Sequence, residues 1–263
     1  MTGEVRGRRL AQLLLLVTLL GLWQLAAALD VASDRLLTGP HEVGNALLLL
    51  LGRGYFYENL WATLRVIGLG MGIALAGGVG LALAIGMVPL VRDGVYPFVV
   101  ALNILPKVAL VPLITISMGY SYNSRIVVVV LAAFFPMFIN TLVALREAQE
   151  PRDRLMRSLG ATRRQRLRMH VLPEGAPVIF AGIKLSLTVA FISAILAEFL
   201  IQRDGLAYLI TAFRIAMNTE MMYAVTVAVA GLGMVMYLAV DRLERWIVHW
   251  EPSDRPTEVG AHG

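Results

Sequence analysis

Cysteine is absent from this sequence of 263 residues, and charged side chains make up only 16% of it. Disulfide bonds and thiolate metal sites are therefore excluded. The chain also lacks an H-E-x-x-H metal motif, a G-x-S-x-G nucleophile turn and a G-x-x-x-x-G-K-[ST] phosphate loop. We expect that the chain is not an enzyme, that it binds no metal or cofactor, and that it does not itself hold ATP in a phosphate loop. The histidines are scattered along the chain: His41, His170, His249 and His262.

Long apolar runs dominate what is present. Hydrophobic residues make up 58% of the sequence, against about 45–50% in soluble proteins. Several runs approach or exceed the roughly 20 residues that a helix needs to cross the hydrocarbon core of a bilayer. The sequence thus predicts an all-α, polytopic membrane protein in which residues 1–263 form a single transmembrane domain. Six membrane-spanning helices are predicted, over residues 10–29, 60–88, 95–118, 125–145, 176–201 and 222–250.

Two of these helices carry residues that disturb a regular helix. Pro106 and Pro112 are expected to break the third helix, because each removes a backbone donor, and broken membrane helices often border a cavity. The second helix is rich in glycine, and Gly68 and Gly72 share one of its faces. Small residues allow close approach between helices in a membrane, so packing is the favoured interpretation of this face.

The arginines indicate how the helices are oriented. Most lie before residue 10, at 89–94, at 146–174 and after residue 240, which a six-helix chain places on one side. The positive-inside rule makes this side the cytoplasm, with both termini there. This distribution accounts for the net charge of +5, so nucleic-acid binding is not expected. The alternative of a cleaved signal peptide at 10–29 is disfavoured by its length and by the lack of a small-x-small site.

The segment 150–173 has a pattern that a simple connection does not need. Leu155, Met156 and Leu159 fall on one helical face, and Gly160 is placed to end that helix in a left-handed conformation. Thr162, with Gln165 three residues later, predicts a capping box that begins a second short helix. Such an amphipathic pair could lie on lipid headgroups or dock its apolar face into a groove of a soluble partner. These residues alone do not choose between the two.

The letters RLMRSLGATRRQRLRMHVLP in this segment resemble the cytoplasmic coupling loop of binding-protein-dependent ABC importer permeases. Gly160, Leu172 and Pro173 match the spacing of that motif. Its Glu-Ala-Ala positions are occupied here by residues 154–156, which read Arg-Leu-Met, and its aliphatic position by His170. The resemblance implies that this loop contacts an ATPase. The residues expected to do so are Leu155, Met156, Leu159, Gly160, Ala161, Thr162, Gln165 and Pro173.

Other segments extend the resemblance over most of the chain. They include NLWATLRVIGLGMGIALAGGVGLALAIG, ILPKVALVPL, FFPMFINT and AEFL followed by DGLAYLI. They are similar to the nitrate, sulfonate and taurine permease subfamily, which also includes importers of pyrimidine precursors. The resemblance implies an ABC type I importer permease fold in the inner membrane. The implied partners are a second permease copy, a cytoplasmic ABC ATPase dimer that binds ATP, and a periplasmic or lipid-anchored solute-binding protein.

A translocation pathway for a small anionic solute is predicted from polar residues and prolines inside the spans: Pro106, Lys107, Pro112, Asn140 and Glu198. Each polar member has a plainer alternative. Lys107 could extend to the membrane surface, Asn140 could join two helices, and Glu198 could pair with a nearby arginine. The alternative function is an ion-coupled secondary transporter or channel, which would be expected to carry carboxylates deep in the membrane. Only Glu198 approaches that pattern.

Overall fold

The structure, a computed structural model, describes residues 2–29, 38–86, 88–104, 107–147, 155–156, 158–201 and 203–250. Within those ranges every regular element is a helix and no strand occurs. The predicted all-α class is confirmed. The α-helices are α1 (Thr2–Ala28), α2 (Pro40–Leu51), α3 (Gly54–Gly86), α4 (Pro89–Ile104), α5 (Val111–Met118), α6 (Tyr122–Glu147), α7 (Arg163–Arg166), α8 (Leu172–Ile201), α9 (Leu206–Ile215) and α10 (Thr219–Ile247).

Four helical stretches of the described residues are long and apolar enough to cross a membrane: Gly54–Gly86, Tyr122–Arg146, Arg164–Ile201 and Thr219–Ile247. They correspond to the second, fourth, fifth and sixth predicted spans. In the first predicted span the apolar helix, Val17–Ala28, is shorter. Of the segment 95–118, the structure describes α4, a 3-10 turn over Lys107–Leu110 and α5. Pro112 lies in the first turn of α5, where a missing N–H costs little, and Pro106 lies outside the described residues.

The chain divides into two compact units. The first comprises Met1–Val66 and Ile195–Leu232. Its core is formed by buried apolar side chains from α2, α3, α9 and α10: Ala46, Leu50, Phe56, Leu206, Leu209, Ala224 and Val225. The loop between α8 and α9 belongs to this unit, so the short helix α9 is held by the core on one side and by polar groups at its beginning.

The second unit comprises Ile67–Ala194 and Gly233–Gly263, and α6 packs closely against two of its helices. A Cβ placed on Gly70 of α3 would lie 2.5 Å from Val129 Cγ1 of α6. Gly78 meets Met137 and Gly86 meets Leu145 in the same way. The contacts recur every eight residues in both helices and in the same order, so α3 and α6 run in parallel. Small residues provide this close approach, as expected in a membrane.

The glycine face proposed from the sequence is not the one that packs here. Nothing in the described part of the chain lies within 4 Å of a Cβ placed on Gly68 or Gly72. The helix α6 also contacts α8, because a Cβ placed on Gly182 of α8 would lie 2.6 Å from Asn140 Cβ. Glycine contacts therefore hold α6 against both α3 and α8, and the segment 150–173 connects α6 to α8.

Candidate functional site

The first half of the loop is a helical turn that ends at Gly160. The N–H of Leu159 donates to the carbonyl of Leu155 at 3.1 Å, and the N–H of Ala161 donates to the carbonyl of Met156 at 3.0 Å. The second bond is the six-to-one bond of a Schellman motif, which closes a helix through a left-handed residue. Gly160 is that residue, with φ of 76°. Residues 150–154 lie outside the described residues. They include Arg154, which stands where the resembled motif has glutamate.

Thr162 and Gln165 begin the second half of the loop with reciprocal hydrogen bonds. The N–H of Thr162 donates to Gln165 Oε1 at 2.8 Å, and the N–H of Gln165 donates to Thr162 Oγ1 at 3.3 Å. This is the capping-box geometry, and it satisfies two amides that the start of α7 would otherwise leave open. Gly160 and this box together produce a helix, a bend and a second helix, each specified by neighbouring residues.

Large apolar side chains project from this loop into the surroundings. Leu155 is 61% exposed, Leu159 76% and Met169 70%. The opposite side is anchored, because Leu167 and Val171 pack on Leu145 near the end of α6. Exposed apolar side chains on an otherwise basic segment indicate an interaction surface rather than a simple connection. We name the exposed side chains of Leu155, Leu159 and Met169, together with the half-buried Ala161, the loop's apolar face.

The loop joins the membrane helix through a widened turn. Residues Leu167–Val171 form a π-helix, in which the N–H of Leu172 donates to the carbonyl of Leu167 five residues earlier. Pro173 follows, with no N–H to donate and with a ring that crowds the carbonyl four residues before it. A π-turn relieves that crowding without ending the helix. As a result, Arg164–Ile201 runs as one helix of 38 residues, and Pro173 does not interrupt it.

Two side chains stabilise this junction through contacts that the sequence did not predict. His170 is buried, and its Nδ1 lies 3.0 Å from Glu174 Oε2 one turn later. Trp250, beyond the end of α10, donates from Nε1 to the carbonyl of Pro173 at 3.2 Å. The second bond joins positions 77 residues apart, so no local pattern indicated it. Together the two contacts fix the point at which the loop becomes membrane helix.

An ion cluster joins α8 to α10 in the same unit. Lys184 Nζ lies 2.6 Å from Asp241 Oδ1, and it also pairs with Glu244. Arg245 extends the cluster by pairing with Asp241. Charges that are partly removed from water need such partners. The cluster therefore connects the helix that continues from the loop with α10.

The predicted pathway residues in the second unit are held by near neighbours. Lys107 donates to the side-chain oxygen of Asn103 at 2.9 Å and also bonds the carbonyl of Asn103. Its ammonium lies 5.6 Å from the ring centre of Phe135 on α6, a distance at which cation–π attraction operates. Asn140 donates to the carbonyl of Pro136 at 2.8 Å and packs against Gly182, which fits the helix-joining alternative. A pathway role for either residue stays a prediction.

Glu198 lies in the last turn of α8, in the first unit. Its side chain is fully buried and contacts the beginning of α9. Its Oε2 accepts the N–H of Ala207 at 3.1 Å. Two further amides there are satisfied by α3, because Gly205 donates to Asn59 Oδ1 at 2.8 Å and Leu206 donates to Thr63 Oγ1 at 3.0 Å. A carboxylate at a helix N-terminus is favoured by the helix dipole. The structure thus gives Glu198 a capping role, and its predicted role in a pathway stays untested.

The turn before α9 has no space for a side chain. Gly205 has φ of 109°, and a Cβ placed on it would overlap the carboxyl group of Glu198.

Among the described residues, no group of three or more histidine, aspartate or glutamate side chains could hold a metal ion.

Comparison with known proteins places most of the chain in one family. Residues 66–249 match the family model described as "Binding-protein-dependent transport system inner membrane component". The matched range contains the whole of the predicted coupling loop, and it covers more than half of the chain.

Individual relatives align along most of their length. The chain is 27% identical to the formylaminopyrimidine transport permease protein ThiX of Halalkalibacterium halodurans, covering 90% of this chain and 94% of that protein. It is 29% identical to the taurine transport system permease protein TauC of Escherichia coli, covering 89% and 87%. It is 30% identical to the riboflavin transport system permease protein RibX of Chloroflexus aurantiacus, covering 90% and 89%.

A solved structure has the same fold. It is titled "Crystal structure of an amino acid ABC transporter with histidines", and the match covers 74% of this chain and 93% of that one, with a TM-score of 0.58 and 17% identity.

Proposed function

Because the chain belongs to the family of binding-protein-dependent transport system inner membrane components, it is an ABC importer permease, and we propose that it passes a small anionic solute inward, driven by a separate cytoplasmic ATPase dimer. Members of this family are transport components, and the chain is accordingly not itself an enzyme. The chain is a multi-pass protein of the inner membrane. The energy-coupling part of the proposal rests on the loop's apolar face, whose residues lie on both sides of the bend at Gly160.

The coupling step follows from the shape of the loop. Leu155 and Leu159 would enter a groove on the ATPase, as the apolar face of an amphipathic helix does. The bend at Gly160 sets the angle between the docked turn and the rest of the loop. From Arg164 onward the helix is continuous to Ile201, so a displacement of the docked end would be carried into the membrane. The ion cluster around Lys184 would pass part of it to α10.

The alternative of an ion-coupled transporter or channel has less support. Its strongest sequence feature was Glu198, and that carboxylate accepts a backbone hydrogen bond at the start of α9. Family membership also favours an importer with a solute-binding protein outside and ATPases inside.

We propose that the permease forms a dimer of two identical copies in contact with lipid, that both termini are cytoplasmic, and that ATP is bound only by the partner.

The solute class is proposed from the relatives and from the pathway. Relatives are named for taurine, aliphatic sulfonates and formylaminopyrimidine, which are small polar solutes. Lys107 supplies a cation in the pathway proposed along Pro106, Pro112, Asn140 and Glu198. This favours a sulfonate or another small anion such as nitrate, with a pyrimidine precursor as the alternative.

Reconstitution tests the proposal. The chain would be purified with the ATPase and the binding protein encoded beside it and placed in proteoliposomes. Uptake of labelled taurine, an alkanesulfonate, nitrate or a formylaminopyrimidine should require ATP on the ATPase side and should be unaffected by collapsing ion gradients. Uptake by the chain alone, driven by a sodium or proton gradient, would contradict the proposal.

A further inference from the structure

A cavity of about 170 Å³ lies between the beginning of α4 and the end of α6. Arg92, Asp93 and Tyr96 line it from α4, and Leu142, Val143 and Arg146 line it from α6. This volume is far above the roughly 10–15 Å³ that a single water needs. The cavity therefore has room for a group of several heavy atoms. Neither the coupling loop nor the proposed pathway uses these residues.

The charges around the cavity are unequal. Arg92 Nε lies 3.0 Å from Asp93 Oδ1, and the Arg92 side chain is only 10% exposed. The hydrogen bond from Arg92 lowers the pKa of Asp93, desolvation partly opposes this, and the charges of Arg92 and Arg146 lower it further. Asp93 is therefore ionised at neutral pH. Among the described lining residues, two guanidinium groups face one carboxylate, which gives this part of the lining a net positive charge.

The lining also suits one class of ligand in particular. A guanidinium group presents a planar fork of donors that matches phosphate and similar oxyanions. The beginning of α4 adds the positive end of a helix dipole. Leu142 and Val143 make part of the wall apolar, so a ligand with a charged head and an apolar extension would fit.

We propose that this cavity binds an oxyanion of the phosphate or sulfonate class, held by Arg92 and Arg146. Two sources carry that chemistry: the headgroup of an anionic phospholipid from the adjacent leaflet, and a free oxyanion at the face from which the coupling loop emerges. Either occupant would bridge α4 and α6. The site does not depend on ATPase docking, so it stands or falls separately from the proposed function.

Ligand-induced stabilisation of the full-length chain tests this site, because a ligand that binds only the folded state raises its melting temperature once its concentration exceeds the Kd, and raises it further with the logarithm of the concentration. The purified chain in neutral detergent would be titrated with short-chain phosphatidylglycerol, with inorganic phosphate, and with short-chain phosphatidylcholine as a headgroup without net charge. Stabilisation by phosphatidylglycerol alone identifies the lipid as the source. Stabilisation by phosphate at comparable concentrations identifies a free oxyanion.

Variants locate the effect in the cavity. Arg146→Gln, on an exposed side chain, should raise about ten-fold the ligand concentration that gives a fixed rise in melting temperature, as expected for loss of a charge-assisted bond. Arg92→Lys should weaken binding as well, because it keeps the charge but loses the fork. Arg242→Gln removes an exposed arginine of α10 and should leave that concentration unchanged. No stabilisation by either anion, equal stabilisation by phosphatidylcholine, or an equal effect of Arg242→Gln overturns the proposal.

Discussion

Two glycine turns in this molecule share a left-handed backbone and differ in almost everything around it. Gly160 has φ of 76°, and no described atom lies within 4 Å of the position of its missing Cβ. Gly205 has φ of 109°, and the carboxyl group of Glu198 occupies that position. At Gly160, only the left-handed backbone favours glycine. At Gly205, glycine is required both by the left-handed backbone and by the lack of space for a Cβ.

The turn at Gly205 is closed, because buried groups of the same chain surround it. The turn at Gly160 is open, because apolar side chains beside it are exposed. Around Gly205, the chain supplies its own caps from Asn59, Thr63 and Glu198. Around Gly160, the hydrogen bonds described are all local, from the end of the first turn and from the box of Thr162 and Gln165, and Leu155 and Leu159 remain exposed. A defect at the closed turn should therefore damage folding, and a defect at the open turn should damage work done with a partner.

Gly205→Ala should have the largest effect. The added methyl must displace a buried carboxyl group and also occupy a left-handed backbone, so we expect a loss of about 3 kcal/mol or more in the free energy of unfolding. The melting temperature in detergent and the amount of folded protein in the membrane measure it. Gly44→Ala, at an exposed position of α2 with open space around it, is the control and should be neutral or slightly stabilising. Equal melting of the two variants would refute the closed-turn description.

Glu198→Ala should come next. It leaves the buried N–H of Ala207 without its acceptor, at a cost of about 1–3 kcal/mol. Glu198→Gln keeps an acceptor oxygen and loses only the charge at the helix N-terminus, at a cost of about 0.3–1 kcal/mol. Thermal melting and uptake should fall together if the residue acts as a cap. If Glu198→Gln abolished uptake while melting stayed unchanged, the residue would belong to the pathway instead.

Gly160→Val should damage coupling more than folding. A β-branched residue in the left-handed region costs about 1–3 kcal/mol locally, and the bend would change without disturbing any packed neighbour. Membrane levels should stay near those of the parent while uptake per ATP hydrolysed in proteoliposomes falls several-fold. Gly160→Asn is the matched control, because asparagine tolerates this conformation, and it should retain most of the coupling. Normal coupling in Gly160→Val would remove the bend from the mechanism.

Thr162→Ala should have the smallest effect. Loss of the capping oxygen costs about 1 kcal/mol at one exposed helix start, so uptake should fall modestly with no change in melting. Thr162→Ser keeps the hydroxyl and should behave as the parent does. A fall in melting temperature as large as that of Glu198→Ala would mean that the loop is part of the folded core.

The open turn could be predicted from the sequence and the closed one could not, for a physical reason. Gly160, Thr162 and Gln165 specify their geometry through contacts that span at most a few residues, so a motif suffices. The bond from Gly205 to Asn59 joins residues 146 positions apart, and no local pattern encodes it. Glu198 was recognised as unusual because it is a carboxylate in an apolar run, but its partner amide was not foreseeable.

Packing faces and helix irregularities were equally hard to predict. The glycine spacing of α3 is compatible with more than one packed face, and only the position of α6 selects Gly70 over Gly68. Leu167 and Val171 fit an α-helical spacing in the sequence, whereas the structure places them in a π-turn before Pro173. The all-α membrane class, by contrast, follows from the composition and from the length of the apolar runs, although four helices of the described residues, rather than the six predicted, are long and apolar enough to span a membrane.

Crosslinking from the loop's apolar face tests the central claim most directly. The chain contains no cysteine, so Leu159→Cys or Ala161→Cys introduces the only thiol of the permease. In the assembled importer, a short bifunctional reagent on either thiol should join the permease to the ATPase subunit, and Met118→Cys at the end of α5 should not. Crosslinks from Leu159→Cys and Ala161→Cys to lipid alone, or labelling of these thiols from the periplasm, would contradict the account.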